Sequence, residues 1–301
     1  MGMRAGDDVA APASGVRPTI PAVRTTYRLV TALTLAGGFF AFVLAAETED
    51  WFAWTITPDL SAAFIGAGFW GTAVAAFLAS REPYWDRTWI VLPPTTILML
   101  LSLAATFMHH DKFDFESFFG WAWLAAYVAD PTAVLVLLAV QRQVPGGPSP
   151  RQPFPIWMTV VLSALATIIV AVAVALFLQP EEAAGVWPWE LTPLTGRIIG
   201  SWLMGIALAA GLAAWEGCWR RYYPVAAWLA AVGVFQLLAL AIYGGDVDWG
   251  DPYGWVYLAV VVLVTAVGAA GLAVVHLGVT FGQRAPKTAS SSSGTGRSSW
   301  S

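Results

Sequence analysis

The chain repeats itself at long range. The segment from Asp114 to Trp121, Asp-Phe-Glu-Ser-Phe-Phe-Gly-Trp, recurs 134 positions later as Asp248-Trp-Gly-Asp-Pro-Tyr-Gly-Trp255, keeping Asp, two aromatics, Gly and Trp in step. The same offset lays Glu82-Pro-Tyr-Trp-Asp-Arg87 on Glu216-Gly-Cys-Trp-Arg-Arg221. An offset of 135 joins Trp54-Thr-Ile-Thr-Pro58 to Trp189-Glu-Leu-Thr-Pro193. Self-similarity at a long fixed period constrains a fold more than any local propensity, because it implies one supersecondary unit used twice.

The unit is a membrane unit. Hydrophobic residues make up 58% of the chain and charged residues 11%, against roughly a quarter charged in soluble domains. Eight apolar runs are long enough to cross a hydrocarbon core, near 27–46, 59–80, 89–108, 119–141, 156–178, 193–215, 222–243 and 254–281. Backbone polar groups must be satisfied internally in lipid, so runs of this length imply helices. The expected fold is an all-α integral membrane protein of eight transmembrane helices, built as two tandem four-helix repeats of the same topology. The first repeat spans 26–143 and the second 156–283, joined by a Pro-rich cytoplasmic linker over 144–155. Residues 1–25 and 284–301, rich in small, polar and charged residues, read as disordered cytoplasmic tails. An even number of spans per repeat gives both the same direction. Their expected symmetry is a pseudo-twofold axis along the membrane normal.

Arg and Lys set the orientation. All of them except Lys112 and Arg197 fall on one side of the predicted spans, and the positive-inside rule places that side, with both termini, in the cytoplasm. Most carboxylates fall at the opposite, outer rim. The single Cys218 excludes an internal disulfide, and the absence of Asn excludes N-glycosylation. Arg-over-Lys and Ala-rich usage points to a bacterial inner (cell) membrane.

Positions shared by both repeats have structural readings. Thr57-Pro58 and Thr192-Pro193 suit the cap and first turn of the second helix in each unit. Gly66 and Gly71, matching Gly200 and Gly205, suit close helix seams. Glu82 with Arg87 and Glu216 with Arg221 suit local ion pairs. Asp114 and Asp248, with the outer Trp54 and Trp189, are expected to line one mouth suited to a cation or sugar-like solute.

Departures from the repeat are the sharper functional candidates. Asp130-Pro131 lies mid-span where the second repeat has Val264-Thr265. An Asp at that depth costs about 3 kcal/mol on insertion scales, so it needs a proton, a partner or a polar cavity. Arg197 and Gln236 are the candidate partners, Arg197 differing from Asp130 by about 10 Å in depth at about 1.5 Å per residue. His109, His110 and Asp111 are weak metal candidates, because their spacing matches no recognised ligand pattern. No catalytic set, cofactor motif or basic nucleic-acid face is present, and the net charge is −4. Gly66-Ala-Gly68-Phe-Trp-Gly71 fits a bare dinucleotide pattern but lies inside an apolar helix with no strand before it.

The expected partners are the lipid bilayer, a small solute or cation, and a second copy of the chain. The leading functional expectation is a small-solute permease or carrier with a polar path between the repeats, through Asp114, Asp248, Asp130, Arg197 and Gln236. The alternatives are a membrane-embedded enzyme acting on a lipid-linked substrate at the outer face, and a non-catalytic assembly subunit. A central polar cavity, a lateral acidic groove and a filled interface would distinguish the three.

Overall fold

The structure, a computed structural model, describes residues 15–277. Among them are eight helices long and apolar enough to cross a membrane. They are α1 (Pro21–Gly38), α2 (Asp59–Arg81), α3 (Leu92–Met108), α4 (Phe118–Arg142), α5 (Ile156–Leu178), α6 (Pro193–Glu216), α7 (Trp219–Tyr243) and α8 (Pro252–Leu277). The described residues hold no regular strand, only isolated bridges. This is a multi-pass, all-helical membrane protein.

Two helix ends depart from the sequence reading. α1 begins at Pro21, where a proline without an N–H suits the first turn, and residues 15–20, expected in the N-terminal tail, are tied into the fold. At its far end α1 passes into a π-helical turn over Phe39–Val43. The cause is a neighbour: Trp70 donates its indole N–H to the Leu35 carbonyl at 3.2 Å and packs against Gly38, disturbing the helical ladder there. The expected tails over 1–14 and 278–301 lie outside the described residues.

α2 and α6 are the most deeply buried spans, because glycine and alanine dominate the faces they turn to neighbours. α2 packs on α1 and α7, and α6 packs on α5 and α3. α8 lies along α7, while α4 is held more loosely, mainly by α3. A Cβ on Gly66 would meet Phe42, in the π-helical turn that continues α1, at 2.6 Å, and one on Gly200 would meet the Ala173 carbonyl of α5 at 2.9 Å. On the other side, a Cβ on Gly71 would meet Val232 of α7 at 2.2 Å, and one on Gly205 would meet Leu98 of α3 at 3.0 Å. Both pairs of glycines therefore mark backbone seams, one towards the preceding helix and one across to the other four-helix set. The centre of that second seam is closed by the ring of Trp202 over Gly68 and by Trp228 and Val232 beside Gly71.

The two ends of the bundle are laced by hydrogen bonds. At the basic end, Thr19 N donates to Pro83 O and Phe154 N to Gly217 O, both at 2.9 Å, so each extended segment before α1 and α5 pairs with a helix–helix turn. The segment 144–155 is fixed by Arg17 N to Gly147 O and by Ser149 to Asp86. Glu82 pairs with Arg87 at 3.5 Å, and Glu216 with Arg221. Burial raises the Glu82 carboxyl from its ordinary value, against the opposing pull of Arg87. At the acidic end, Asp114 N donates to Ala53 O at 2.9 Å and Asp248 N to Pro188 O at 3.1 Å.

Helix capping is uneven. Thr192 accepts from Thr195 N at 3.2 Å, as expected of a cap. Thr57 does not cap α2. That role falls to Asp246, whose Oδ2 accepts from Leu60 N at 3.1 Å across the bundle, a carboxylate at a helix N-terminus where the macrodipole favours it.

Candidate functional site

The residues expected to form one outer mouth are not assembled as one. Trp54 is 4% exposed and sits in an aromatic cluster with Phe52, Phe113 and Trp123, ring centroids 4.9–5.0 Å away. Trp189 is equally buried and donates its indole N–H to Ser61 Oγ at 2.8 Å. Both are core residues because they fold inward beneath the loops that precede α2 and α6. Asp114 and Asp248 are exposed, and each carboxylate serves its own loop. Asp114 Oδ1 accepts from Glu116 N and Ser117 N at 3.0 and 3.2 Å, and Asp248 Oδ1 accepts from Gly250 N at 2.9 Å. These local turns explain a carboxylate at both positions.

Asp130 and Arg197 are not paired. The Arg197 guanidinium donates to His109 Nε2 at 2.6 Å, joining the start of α6 to the end of α3. Burial, and then Arg197 beside it, hold the His109 imidazole below its ordinary pKa, which keeps Nε2 free to accept. Asp130 is half-buried on α4, with no hydrogen bond or ion pair to a described residue. α4 continues through Pro131 as one helix. Gln236 is 3% exposed and is committed within the protein: its Nε2 donates to Phe64 O and its Oε1 accepts from Tyr257 OH, both at 3.0 Å. It clamps α2, α7 and α8 together.

The metal candidates separate in the same way. His109 faces Arg197, and Asp111 pairs with Lys112 at 3.4 Å on the surface. Among the described residues, no three His, Cys, Asp or Glu side chains converge on one point.

One concavity in the bundle is of another kind. A cavity of about 340 Å³ opens between α5 and α8 in the half of the bundle near the acidic end. Its walls are Ile169 and Val172 of α5, Leu203 of α6, and Val260 and Val264 of α8, and the loop carrying Trp187 closes its end. Gln236, Tyr253 and Tyr257 also line it. α5 and α8 are not a close-packed pair, unlike α5 with α6 and α7 with α8, and the lining residues Ile168 and Val172 of α5 and Val256 of α8 are exposed, so the opening lies along the side of the bundle. Among the described residues, no acidic, basic or histidine side chain lines it. Its volume falls in the range of about 300–1,000 Å³ seen for ligand sites.

A signal for this cavity exists in the sequence, in the same 134-residue offset. Leu203 and Val261 stand where Phe69 and Tyr127 stand in the first half. The smaller set lines the hollow. No protein-family model matches the chain, and no curated protein or solved structure matches it either.

Proposed function

We propose that this protein is a carrier or receptor for a lipid-soluble solute, which it takes sideways from the bilayer into the cavity between α5 and α8. One observation carries this reading: the cavity is apolar, free of charge and open towards the side of the bundle. Expulsion of apolar surface from water cannot drive binding from a lipid environment, so shape and packing would have to select the occupant. The carrier expectation is kept and its route is changed. A polar path between the two four-helix sets finds no support in an interface closed by Trp202, Trp228 and Val232.

The frame belongs to the same proposal: two tandem units related by a pseudo-twofold axis along the membrane normal, with both termini cytoplasmic in a bacterial inner membrane. Reciprocal packing supports it, α2 on α7 answering α6 on α3. The paired backbone bonds at both ends of the bundle support it too. The sidedness of Arg and Lys supports the orientation.

The test is photolabelling in nanodiscs with a long-chain alkane carrying a diazirine. Label should concentrate in the cavity-facing parts of α5 and α8 and fall severalfold in Leu203→Phe, which places in the wall the residue found at position 69. Val264→Phe serves as the second filling variant. Label spread evenly over all outward-facing helices, and unchanged by either substitution, would end this reading.

Asp130 favours a second reading, an assembly subunit whose α4 receives a partner helix bearing a cation. A poly-leucine transmembrane peptide with one central Lys should then associate with the wild type and not with Asp130→Asn. Equal association with both disposes of it.

A further inference from the structure

A second hollow, of about 360 Å³, lies over α7 between α2 and α8, and it shares no lining residue with the cavity between α5 and α8. Val74 and Leu78 of α2 and Leu272 of α8 form its sides, and Ala227, Ala230 and Ala231 of α7 form its bed. Along α7 it runs from Tyr223 to Phe235, about 18 Å at about 1.5 Å per residue, against a half-thickness of about 15 Å for the hydrocarbon core. The groove is therefore one leaflet deep, and it starts at the basic end of the bundle. There it carries polar groups that solvent or a ligand can reach: the Tyr223 hydroxyl and His276 Nε2 lie 3.5 Å apart, both residues belong to the lining, and His276 is exposed. Arg220 precedes Tyr223 by three residues on α7 and Arg81 follows Leu78 by three on α2, a spacing that keeps each on the same helix face as its groove residue. Both arginines are exposed, and the Arg81 guanidinium lies over the Phe77 ring, 5.5 Å from its centroid. Of the carboxylates at this end, Asp86 and Glu216 are held by Arg221 and Glu82 is paired with Arg87, so Arg81 and Arg220 have no ion pair with a described residue.

An apolar groove one leaflet deep, with unpaired cations at its end, is complementary to an anionic amphiphile, since basic residues at the membrane surface attract anionic headgroups. We propose that the groove seats an anionic phospholipid of the leaflet at the basic end. One acyl chain lies between α2 and α8 over the alanines of α7, and the phosphate faces Arg81 and Arg220, with the Tyr223 hydroxyl as a further donor. The other half of the chain has different residues at the corresponding positions. At the 134-residue offset, Trp89 and Trp215 stand in place of Tyr223 and Arg81, with ring centroids 6.4 Å apart and edge-on, Ile97 stands in place of Ala231, and Asp86 in place of Arg220. Those residues supply bulk where the groove has space and a carboxylate where it has a cation. This site is independent of the solute cavity between α5 and α8.

The test uses the full chain in phosphatidylcholine nanodiscs doped with a trace of one of two lipids that carry the same diazirine acyl chain, phosphatidylglycerol or phosphatidylcholine, with the crosslinks mapped by mass spectrometry. Phosphatidylglycerol should label the groove-facing parts of α2, α7 and α8 about fivefold or more above phosphatidylcholine, the gain expected of one or two arginines at the membrane surface. The double variant Arg81→Gln and Arg220→Gln should bring the phosphatidylglycerol label down to the phosphatidylcholine level and leave the latter unchanged. Ala231→Ile, which places in the bed the residue found at position 97, should lower the label from both lipids severalfold. Equal labelling of the groove by the two lipids in the wild type overturns the proposal, and that comparison needs no variant to fold. A preference that survives the double arginine variant, or label spread evenly over all outward-facing helices, overturns it as well. None of these outcomes bears on the α5–α8 cavity, which is probed separately with the alkane.

Discussion

Arg221 donates its Nε to Oδ2 of Asp86 across 3.1 Å, linking the start of α7 to the turn between α2 and α3. The same carboxylate oxygen accepts from Ser149 N at 3.0 Å and from Ser149 Oγ at 2.7 Å, and Glu216 takes a second nitrogen of the guanidinium. One buried carboxylate thereby ties together both four-helix sets and the segment that connects them.

Breaking this node should be expensive. Asp86→Ala leaves Arg221, its side chain only 7% exposed, with Glu216 as its remaining carboxylate and strips the acceptor from Ser149 N and Oγ, a loss of about 1–3 kcal/mol for the unsatisfied buried donors. The more exposed Glu82–Arg87 pair provides the contrast: Glu82→Gln should cost about 0–1 kcal/mol. Thermal unfolding of the purified variants in one detergent checks this. A melting temperature for Asp86→Ala within a degree of that of Glu82→Gln would show that the node carries no weight.

The Arg197–His109 contact should confer a pH dependence. The folded imidazole is held below its ordinary pKa by burial and by Arg197, so over the interval between the folded and unfolded values the unfolded chain binds more protons. Stability then rises with pH and is lost as pH falls below about 6.5. Comparing melting temperatures from pH 7.5 to 5 in wild type and His109→Gln isolates the effect, since Gln can still accept from Arg197 but does not titrate. Parallel curves would refute it.

The seam glycines should not be interchangeable with others. Gly71→Ala drives a Cβ to 2.2 Å from Val232 and 3.2 Å from its backbone nitrogen, whereas the same change at Gly211 meets only Ala166 at an ordinary 3.7 Å. Overpacking of this kind costs about 1–3 kcal/mol, while Gly211→Ala should be neutral or mildly stabilising through helix propensity. Equal melting temperatures for the two variants would contradict the seam.

Asp130 should be a burden on the isolated chain. It has no hydrogen bond or ion pair to a described residue at mid-span, so Asp130→Leu should improve insertion of α4, on a scale where a central Asp costs about 3 kcal/mol. Insertion assays on the α4 segment and melting of the whole protein both report on this. A fall in melting temperature would mean that Asp130 has a stabilising contact within the fold.

Much of the architecture was legible in the chain. The number and approximate placement of the spans follow from uninterrupted apolar length, since hydrocarbon thickness and backbone satisfaction leave little choice. Gly66, Gly71, Gly200 and Gly205 could be read as seams because only a missing side chain permits such approach. The local pairs Glu82–Arg87 and Glu216–Arg221 were legible because their partners are near in sequence.

The candidate site was less so, for reasons that individual residues make plain. Trp54 and Trp189 belong at an outer mouth by position in the chain, but whether a loop folds over the bundle or away from it depends on long-range packing, and both rings turn inward. Arg197 chose His109 over Asp130 because α6 lies on α3 rather than beside α4. Asp246 caps α2 across 186 residues, a partner that no local pattern announces. The sequence by itself determined that the chain is helical and membrane-spanning, because those properties rest on composition and on uninterrupted apolar length. The tertiary structure alone decided which polar groups meet and where space remains, because both depend on how helices far apart in the chain are set side by side. The apolar cavity between α5 and α8 is the result of that placement.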